Sequence, residues 1–411
     1  MACFVVETGR PFNPPFEKLR FTMATLFSCL PCAVQKICLF SHHGKRCTRI
    51  VQITVTLVTQ ATAQPLQDSL GRPVKVGGLE LRNRVFLAPM SGISDAPFRK
   101  LAWQFGAGFC VSEMVASEAL VTGHMEMVLK GSDSGLPLHA VQIAGREPKW
   151  MALAAKLAVD KGAGLIDINM GCPAKKVTNG YSGSALMRDL DHAMTLVDAV
   201  VAAVDVPVTL KMRLGWDDQM INAPELATRA VASGICMITV HGRTRCQFYK
   251  GAADWGRVRA VRDVIHVPLV VNGDIGCADT AGLALARSGA DAVMIGRASY
   301  GAPWLPGLVA GTVPAGAMDI AANGLVSDHY EAMLSFYGAP LGLKQARKHL
   351  GWYLTTLECD PAPRLRTELM TATRPERVLE LIGCIFSSQP LSRTIIGKDG
   401  KAIRHNDGLA A

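Results

Sequence analysis

The sequence predicts an α/β protein, a (β/α)8 TIM barrel followed by a small C-terminal helical domain. Eight short apolar segments alternate with stretches of helical periodicity up to about residue 312. Seven of these segments end in polar or chemically special residues, as expected where barrel strands point at an active site. The predicted divisions are an N-terminal extension (1–70), the barrel (71–312), a helical domain (313–388) and a flexible tail (389–411).

Composition and charge limit the classes to which this chain can belong. Its 411 residues are 49% apolar and 19% charged, which is typical of a globular protein. The net charge of +9 indicates either a polyanionic partner or simply a basic enzyme. Twelve scattered cysteines indicate free thiols and therefore a reducing, cytoplasmic location. No apolar run reaches the roughly 18 residues that span a bilayer, so no membrane association is expected.

Residues 1–70 do not share the pattern of the rest of the chain. Cys29 and Cys32 have a spacing that zinc ligands use, but no second pair follows, so no metal site is predicted. Residues 50–58 are compatible with a strand. We expect poor order before about residue 70, or a start codon assigned too far upstream, with Met23 as an internal candidate.

The regular part of the chain begins with a hairpin. Residues 74–81 alternate around a Gly77-Gly78 turn and could close the bottom of the barrel. The predicted strands follow at 85–89, 109–113, 138–143, 165–169, 206–212, 236–241, 268–272 and 291–295. The clearest predicted helices are 148–160, 184–204, 223–232, 255–264 and 279–287. A doubly wound sheet is the competing architecture, but residues 88–92 are not the glycine-rich turn that it requires.

The C-terminal domain is predicted to consist of helices at residues 326–337, 342–354 and 374–386. Lys344, Arg347 and Lys348 recur there at helical spacing, with Trp352 and Tyr353 close behind. Such residues suit a helix that faces RNA, although a solvated charged face with aromatic residues in the core predicts the same spacing. Residues 395–404 resemble the GxxG core of a KH domain, but too little chain follows to complete that fold.

The ends of the predicted strands carry a coherent set of candidate site residues. They are Pro89, Met90, Ser91, Gln142, Asn169, Lys211, Arg213, His241, Asn272, Gly273, Asp274, Gly296 and Arg297. Glycines after the last two strands are typical of a barrel phosphate site. The amide and cationic groups suit flavin mononucleotide (FMN), with Lys211 near the electron-rich N1/O2 edge of its ring. Each amide or histidine alone could be a satisfied core group, but their joint position favours a cofactor site.

Cys172 is the residue most indicative of chemistry, because it lies in a Gly-Cys-Pro turn directly after a buried strand. A thiol there can protonate one carbon while a hydride arrives on its neighbour. Lys175 and Lys176 follow closely and would favour the thiolate, which opposes a purely acidic role. We therefore interpret Cys172 as the catalytic acid and the two lysines as contacts for substrate phosphates.

In combination, these motifs resemble those of the tRNA-dihydrouridine synthases, in particular the bacterial B-type branch. The matching segments are residues 87–95, 167–176, 238–245, 271–275, 294–297 and 342–354. The most specific is the Asn-Met-Gly-Cys-Pro run at 169–173. The resemblance extends from about residue 73 to residue 386 and leaves residues 1–70 outside.

The resemblance implies FMN-dependent reduction of particular tRNA uridines to 5,6-dihydrouridine, with NADPH or NADH as the reductant. Hydride would pass from flavin N5 to uracil C6 while Cys172 protonates C5. Residues 89–91, 272–274 and 296–297, with Gln142, Lys211 and His241, are assigned to the cofactor. Asn169, Lys175, Lys176 and Arg213 are assigned to the substrate. The helical domain would hold folded tRNA, residues 181–183 could tune substrate fit, and no obligatory protein partner is evident.

Two rival functions remain open at this point. An FMN-dependent oxidoreductase of a free pyrimidine, resembling dihydroorotate dehydrogenase, would explain the barrel but not the basic helical domain. A tRNA-binding chaperone with a vestigial flavin site is a non-enzymatic alternative. The joint presence of Cys172, Lys211 and His241 argues against it.

Overall fold

The computed structural model describes residues 68–392, which belong to one compact unit. The N-terminal extension lies outside the described residues except for its last three. The Cys29–Cys32 pair, the predicted strand at 50–58 and the KH-like segment also lie outside them. The proposed boundaries at 312 and 388 remain predictions. Among the described residues, no helix is long and apolar enough to cross a membrane.

The predicted hairpin is confirmed. Strands β1 (Val74–Val76) and β2 (Leu79–Leu81) pair antiparallel, and both turn glycines have positive φ. The turn lies against the N-terminal ends of two barrel strands: a Cβ at Gly77 would be 2.8 Å from Cβ of Pro207 and 2.9 Å from Sγ of Cys236. Since only glycine fits there, the sequence holds the hairpin closely against the bottom of the barrel.

The (β/α)8 barrel is also confirmed. Its parallel strands are β3 (Val85–Leu87), β4 (Phe109–Cys110), β5 (Met114–Ala116), β6 (Ala140–Ala144), β7 (Leu165–Met170), β8 (Val208–Arg213), β9 (Ile238–His241), β10 (Leu269–Asn272) and β11 (Ala292–Ile295). The hydrogen-bonded order is β4-β3-β11-β10-β9-β8-β7-β6-β5. All eight predicted strand positions are therefore occupied.

The second barrel strand is interrupted, which the sequence did not reveal. β4 pairs with β3, whereas β5 pairs with β6. Between them, the Ser112 backbone N–H donates to the Ala140 carbonyl at 3.0 Å, and the Ser112 hydroxyl accepts from the Gln142 N–H at 2.9 Å. The break at residues 111–113 falls within the single strand predicted at 109–113, and Ser112 closes the barrel across it.

Helices follow the strands on the outside of the barrel. They are α1 (Ala96–Gln104), α2 (Ser117–Val121), α3 (Met125–Lys130), α4 (Pro148–Asp160), α5 (Lys175–Thr178), α6 (Leu190–Val201), α7 (Ala223–Ala232), α8 (Trp255–Arg262), α9 (Ala278–Ser288) and α10 (Leu305–Ala310). The prediction of one helix at 184–204 was wrong. Asp189 accepts from the His192 N–H and caps α6, so Gly183–Arg188 forms a separate 3-10 helix.

The C-terminal part consists of α11 (Ala322–Tyr337), α12 (Ala339–Thr356), α13 (Pro363–Thr371) and α14 (Pro375–Ile385). Three of these were predicted, but α13 was missed because proline and polar residues dominate it. On α12, Tyr353 is buried and Trp352 stacks on Tyr300 with ring centroids 4.3 Å apart. The aromatic residues near Lys344 therefore pack inward, as the alternative interpretation of this helix predicted.

A cluster of polar residues, which we call the junction, joins the barrel to the C-terminal helices. It comprises the buried Asp95, Glu113, His329 and His349 and the half-buried Tyr337. The Tyr337 hydroxyl donates to Oδ2 of Asp95 at 3.0 Å, and the rings of His329 and His349 pack edge to face. Glu113 accepts from the Gly92 N–H in the loop after β3. The junction thus ties the C-terminal helices to one side of the barrel mouth.

Candidate active site

Strand register brings most of the predicted site residues together at the C-terminal ends of the strands. In the sheet, Asn169 lies beside Lys211, and His241 lies between Arg213 and Asn272. Parallel strands end at the same rim of a barrel, so polar residues far apart in sequence become neighbours there.

Lys211 places a buried cation in this rim. Its Nζ donates to Oδ1 of Asn272 at 3.0 Å, and Nδ2 of Asn272 donates to the Met294 carbonyl at 2.8 Å. Burial, reinforced by repulsion from Arg213, lowers the pKa of Lys211 to about 8. The ammonium form still predominates at neutral pH, and its position is fixed by the Asn272 amide on β10, two strands away in the sheet.

A network of amides and one carboxyl group orients the cysteine loop. Nε2 of Gln142 donates to Asp167 at 2.6 Å, and Nδ2 of Asn169 donates to Oε1 of Gln142 at 2.7 Å. Oδ1 of Asn169 then accepts from the backbone N–H groups of Gly171 and Cys172. Gln142 is fully buried and both ends of its amide are engaged, which leaves it one N–H and one lone pair for a ligand. Asn169 sets the backbone position of Cys172.

Cys172 is partly exposed at the end of this network. Its carbonyl accepts from the Ser184 hydroxyl at 2.8 Å and from the Ser184 N–H at 3.1 Å. Gly183, at φ +60°, packs so closely that a Cβ there would lie 2.9 Å from that carbonyl. Burial raises the pKa of the Cys172 thiol, against the opposing pull of Arg213 and Lys211. The thiol therefore retains its proton at neutral pH and can act as an acid.

His241 faces the same rim as a neutral imidazole. Burial and the cations Arg213, Lys211, Arg243 and Arg297 hold its pKa well below its usual range. Its Nε2 lies 3.3 Å from Nη1 of Arg243. A neutral imidazole surrounded by cations can exchange hydrogen bonds with a heterocycle without adding charge.

The predicted phosphate side contains an ion-pair network that sequence reasoning missed. Asp274 accepts from Nη1 of Arg243 at 2.9 Å and from its Nη2 at 2.5 Å, and Nη2 of Arg297 lies 3.4 Å away. The Ala253 N–H also donates to Asp274 at 2.7 Å. The Asp274 carboxylate is thus occupied as a scaffold that positions both arginines. Arg243 directly follows His241-Gly242, but its partner Asp274 lies 31 residues further along the chain, so no local sequence pattern indicates the pair.

Open backbone lies next to these cations. A Cβ at Gly296 would make only ordinary contacts, 3.8 Å from Ala88 and 3.9 Å from Met90, so a ligand can approach this backbone. Arg297 is about one-third exposed beside it. Pro89 and Met90 are partly exposed and Ser91 is exposed, in the loop after β3. A buried cation on one side and accessible glycine backbone with an arginine on the other fit the ring and the phosphate of FMN.

The residues assigned to the substrate differ in their accessibility. Lys175 and Lys176 are exposed at the start of α5, four residues or fewer from Cys172. Arg213 is buried, and it donates from Nε to the Gly171 carbonyl and from Nη1 to the carbonyls of Thr244 and Phe248. Arg213 therefore fastens the cysteine loop to the loop after β9, and its assignment to the substrate remains a prediction.

The fold and its polar rim define an α/β-barrel enzyme with its chemistry at the C-terminal ends of the strands. A family model described as dihydrouridine synthase (Dus) matches residues 86–390, and the chain belongs to this family. The resemblance noted in the sequence is thereby confirmed.

Individual relatives agree with this assignment. A protein of Rhizobium leguminosarum bv. phaseoli named "Probable tRNA-dihydrouridine synthase" is 57% identical over 300 residues, covering 73% of this chain and 94% of the relative. The "tRNA-dihydrouridine synthase B" of Xanthomonas campestris pv. campestris is 46% identical, with coverage of 68% and 86%. A solved old yellow enzyme homologue from Zymomonas mobilis, at 17% identity, 58% and 91% coverage and a TM-score of 0.42, is too distant to bear on function.

Proposed function

We propose that this chain reduces particular uridines in tRNA to 5,6-dihydrouridine, using FMN and a nicotinamide reductant, NADPH or NADH, in the cytoplasm. The observation that carries this proposal is the partly exposed thiol of Cys172, whose backbone Asn169 and Ser184 hold at the barrel mouth, near the buried cation of Lys211. The relatives named tRNA-dihydrouridine synthase support the choice of substrate.

The residues that would hold FMN lie on both sides of the mouth. Gly273, Gly296 and Arg297 would receive the phosphate, and Lys211 would face the N1/O2 edge of the ring. Residues 89–91, Gln142 and Asn272 would line the ring. Bound FMN would supply the hydride that adds to uracil C6.

Cys172 would donate its proton to uracil C5 as C6 becomes reduced. The hydride and the proton together saturate the C5–C6 bond, and the resulting thiolate regains a proton from solvent. Asn169 would act by fixing the backbone of Cys172, and His241, kept neutral, would hydrogen bond near the uracil and the cofactor. General acid catalysis of this kind contributes about 10²–10⁴ to a rate.

The target uridine must leave the stacked tRNA to reach this rim. Lys175, Lys176 and, on α12, Lys344 are exposed cations that would meet RNA phosphates. The Arg347 guanidinium instead donates to the Ala372 carbonyl at 3.3 Å, and Nζ of Lys348 donates to Gln345 at 2.5 Å. These two residues of the predicted basic face are therefore partly committed within the protein.

Mapping of dihydrouridine in tRNA tests the proposal in cells. Cells that lack this protein should lose dihydrouridine at specific tRNA positions, and the wild-type gene should restore it whereas Cys172→Ala should not. An unchanged dihydrouridine pattern, together with reduction of free orotate by the purified protein, would favour the rival pyrimidine oxidoreductase.

A further inference from the structure

Beside the cysteine loop, two arginines alternate with two aromatic rings on the surface. Cζ of Arg188 lies 5.6 Å from the ring centre of Tyr181 and 4.8 Å from that of Trp216. Cζ of Arg245 lies 4.7 Å from the same Trp216 ring. We call these four residues, Tyr181, Arg188, Trp216 and Arg245, the stack. Tyr181 belongs to the segment 181–183 that was expected to tune substrate fit, and the other three are not among the residues that the resemblance assigns to the cofactor or to the substrate.

The stack is built from three loops that meet at the barrel mouth. Tyr181 belongs to the loop after β7, Trp216 to the loop after β8 and Arg245 to the loop after β9. Nη2 of Arg245 lies 3.3 Å from the Thr178 hydroxyl, and the Arg245 N–H donates to the Gly215 carbonyl at 2.9 Å. Gly183, two residues after Tyr181, packs on Cys172. The stack therefore adjoins the proposed acid.

The cations of the stack have no carboxylate partner in the part of the chain that the structure describes. Within residues 68–392, neither Arg188 nor Arg245 has a carboxylate within 4.0 Å. The acidic residues nearby have other partners: Asp189 caps α6, Asp217 accepts from the N–H groups of Gln219 and Met220, and Asp218 pairs with Arg257. The N–H groups of the exposed Arg188 therefore remain available to an anion, whereas those of the half-buried Arg245 are only partly free, because its Nε is buried and its Nη2 donates to Thr178.

Tyr181 presents an aromatic ring to solvent at a conformational cost. Its side chain is 61% exposed, and its φ of 55° is unfavourable for a bulky residue. Glycine would suit this backbone better, and backbone strain of this kind is concentrated at functional sites. Exposed aromatic rings interleaved with unpaired arginines are typical of surfaces that bind single-stranded nucleic acid.

We infer that the stack binds the unpaired nucleotides that flank the target uridine, with a base on Tyr181 and phosphates on Arg188 and Arg245. This inference rests on the proposed function and adds an RNA-contacting surface to it. Swinging one uridine out of the tRNA leaves its neighbours partly unstacked, and an aromatic platform beside Cys172 compensates for that loss.

The test uses the full-length, FMN-loaded enzyme with Tyr181→Gly, which keeps the backbone conformation, and Arg188→Ala. Each should raise both KM and Kd for tRNA about tenfold while kcat stays unchanged. Arg188→Ala should also reduce the salt dependence of binding by about one ion. Flavin reduction by NADPH in the absence of tRNA should be unaffected in both variants.

Two controls separate stacking from charge. Tyr181→Phe keeps the ring and should bind tRNA like the wild type. Lys161→Ala removes an equal, exposed charge after the C-terminal end of α4, at the bottom of the barrel, and should also have no effect. Unchanged KM and Kd in Tyr181→Gly and Arg188→Ala would overturn the inference while leaving the proposed function intact. A wild-type enzyme that forms no dihydrouridine would instead refute the proposed function itself.

Discussion

Polar side chains are concentrated in two regions, the barrel mouth around Cys172 and the junction between the barrel and the C-terminal helices. The two regions differ in how deeply these side chains are buried. At the mouth, Cys172 and Arg297 stay partly exposed beside open glycine backbone. At the junction, Asp95, His329 and His349 are almost completely buried. Burial shifts pKa values in both regions, so a perturbed pKa alone does not mark an active site. The mouth is distinguished by access for a ligand.

The largest expected effect tests the mouth. Cys172→Ala should lower kcat for dihydrouridine formation about a thousandfold, because the proton for C5 must then come from water. FMN content, read from the visible flavin spectrum, should not change. Cys172→Ser keeps the size of the side chain and a weak proton donor, so its kcat should lie between those of Cys172→Ala and the wild type. Turnover of Cys172→Ala equal to wild type would eliminate the proton-donor role.

The second prediction separates structure from substrate contact at Arg213. Arg213→Met keeps much of the side-chain volume but leaves three carbonyl oxygens without their donor, so it should lower the free energy of unfolding by about 3 kcal/mol. Urea denaturation measures this loss. The matched control Lys176→Met removes an exposed cation and should change stability by less than about 0.5 kcal/mol. A stable Arg213→Met enzyme with weak tRNA binding would support the substrate assignment made from the sequence and contradict the structural role.

The two regions also differ in how far the sequence revealed them. The strand ends were predictable, since Asn169, Lys211, His241 and Asn272 close buried apolar runs and a barrel brings such ends together. The junction was not, because the partner of Asp95 is Tyr337, 242 residues away. At the mouth, the sequence likewise did not reveal the hydrogen-bond and ion-pair partners that come from distant loops.

Two particular cases differ in what the sequence could reveal. The assignment of Asp274 to the cofactor remains a prediction, but the ion pair of its carboxylate with Arg243 was missed, because no local pattern encodes an ion pair between two loops. The separate start of α6 could have been found, because Asp189 is a good N-cap residue inside the predicted helix 184–204.

The third prediction concerns the junction and acid stability. Burial lowers the pKa of His329 to about 3, so below its ordinary pKa of about 6.5 only the unfolded chain takes up the proton. The contribution of this neutral histidine to the free energy of unfolding should therefore be fully present above about pH 6.5. It should be lost progressively as the pH falls toward about 3. At about pH 5 this histidine alone costs about 2 kcal/mol.

Unfolding measured at about pH 7.5 and pH 5 tests this dependence. His329→Gln should reduce the acid-induced loss by about 2 kcal/mol. The control His124→Gln changes an exposed histidine and should leave the loss as it is in the wild type. An equal acid-induced loss in wild type and His329→Gln would show that His329 is not responsible.

The smallest expected effect is that of Tyr337→Phe. This change removes one donor to the buried Asp95 carboxyl group, which still accepts from the Phe98 N–H, so it should cost about 1 kcal/mol. Thermal unfolding measures the cost, and kcat and KM should be unchanged. A large loss of activity without a loss of stability would mean that the junction takes part in catalysis.

The central claim is that this barrel reduces uridine within tRNA. The most direct measurement mixes the NADPH-reduced enzyme with tRNA or with free orotate, without oxygen, and follows flavin reoxidation and the nucleoside products. We predict that tRNA reoxidises the flavin and yields dihydrouridine, whereas orotate does neither. Reoxidation by orotate with no dihydrouridine formed in tRNA would contradict the account.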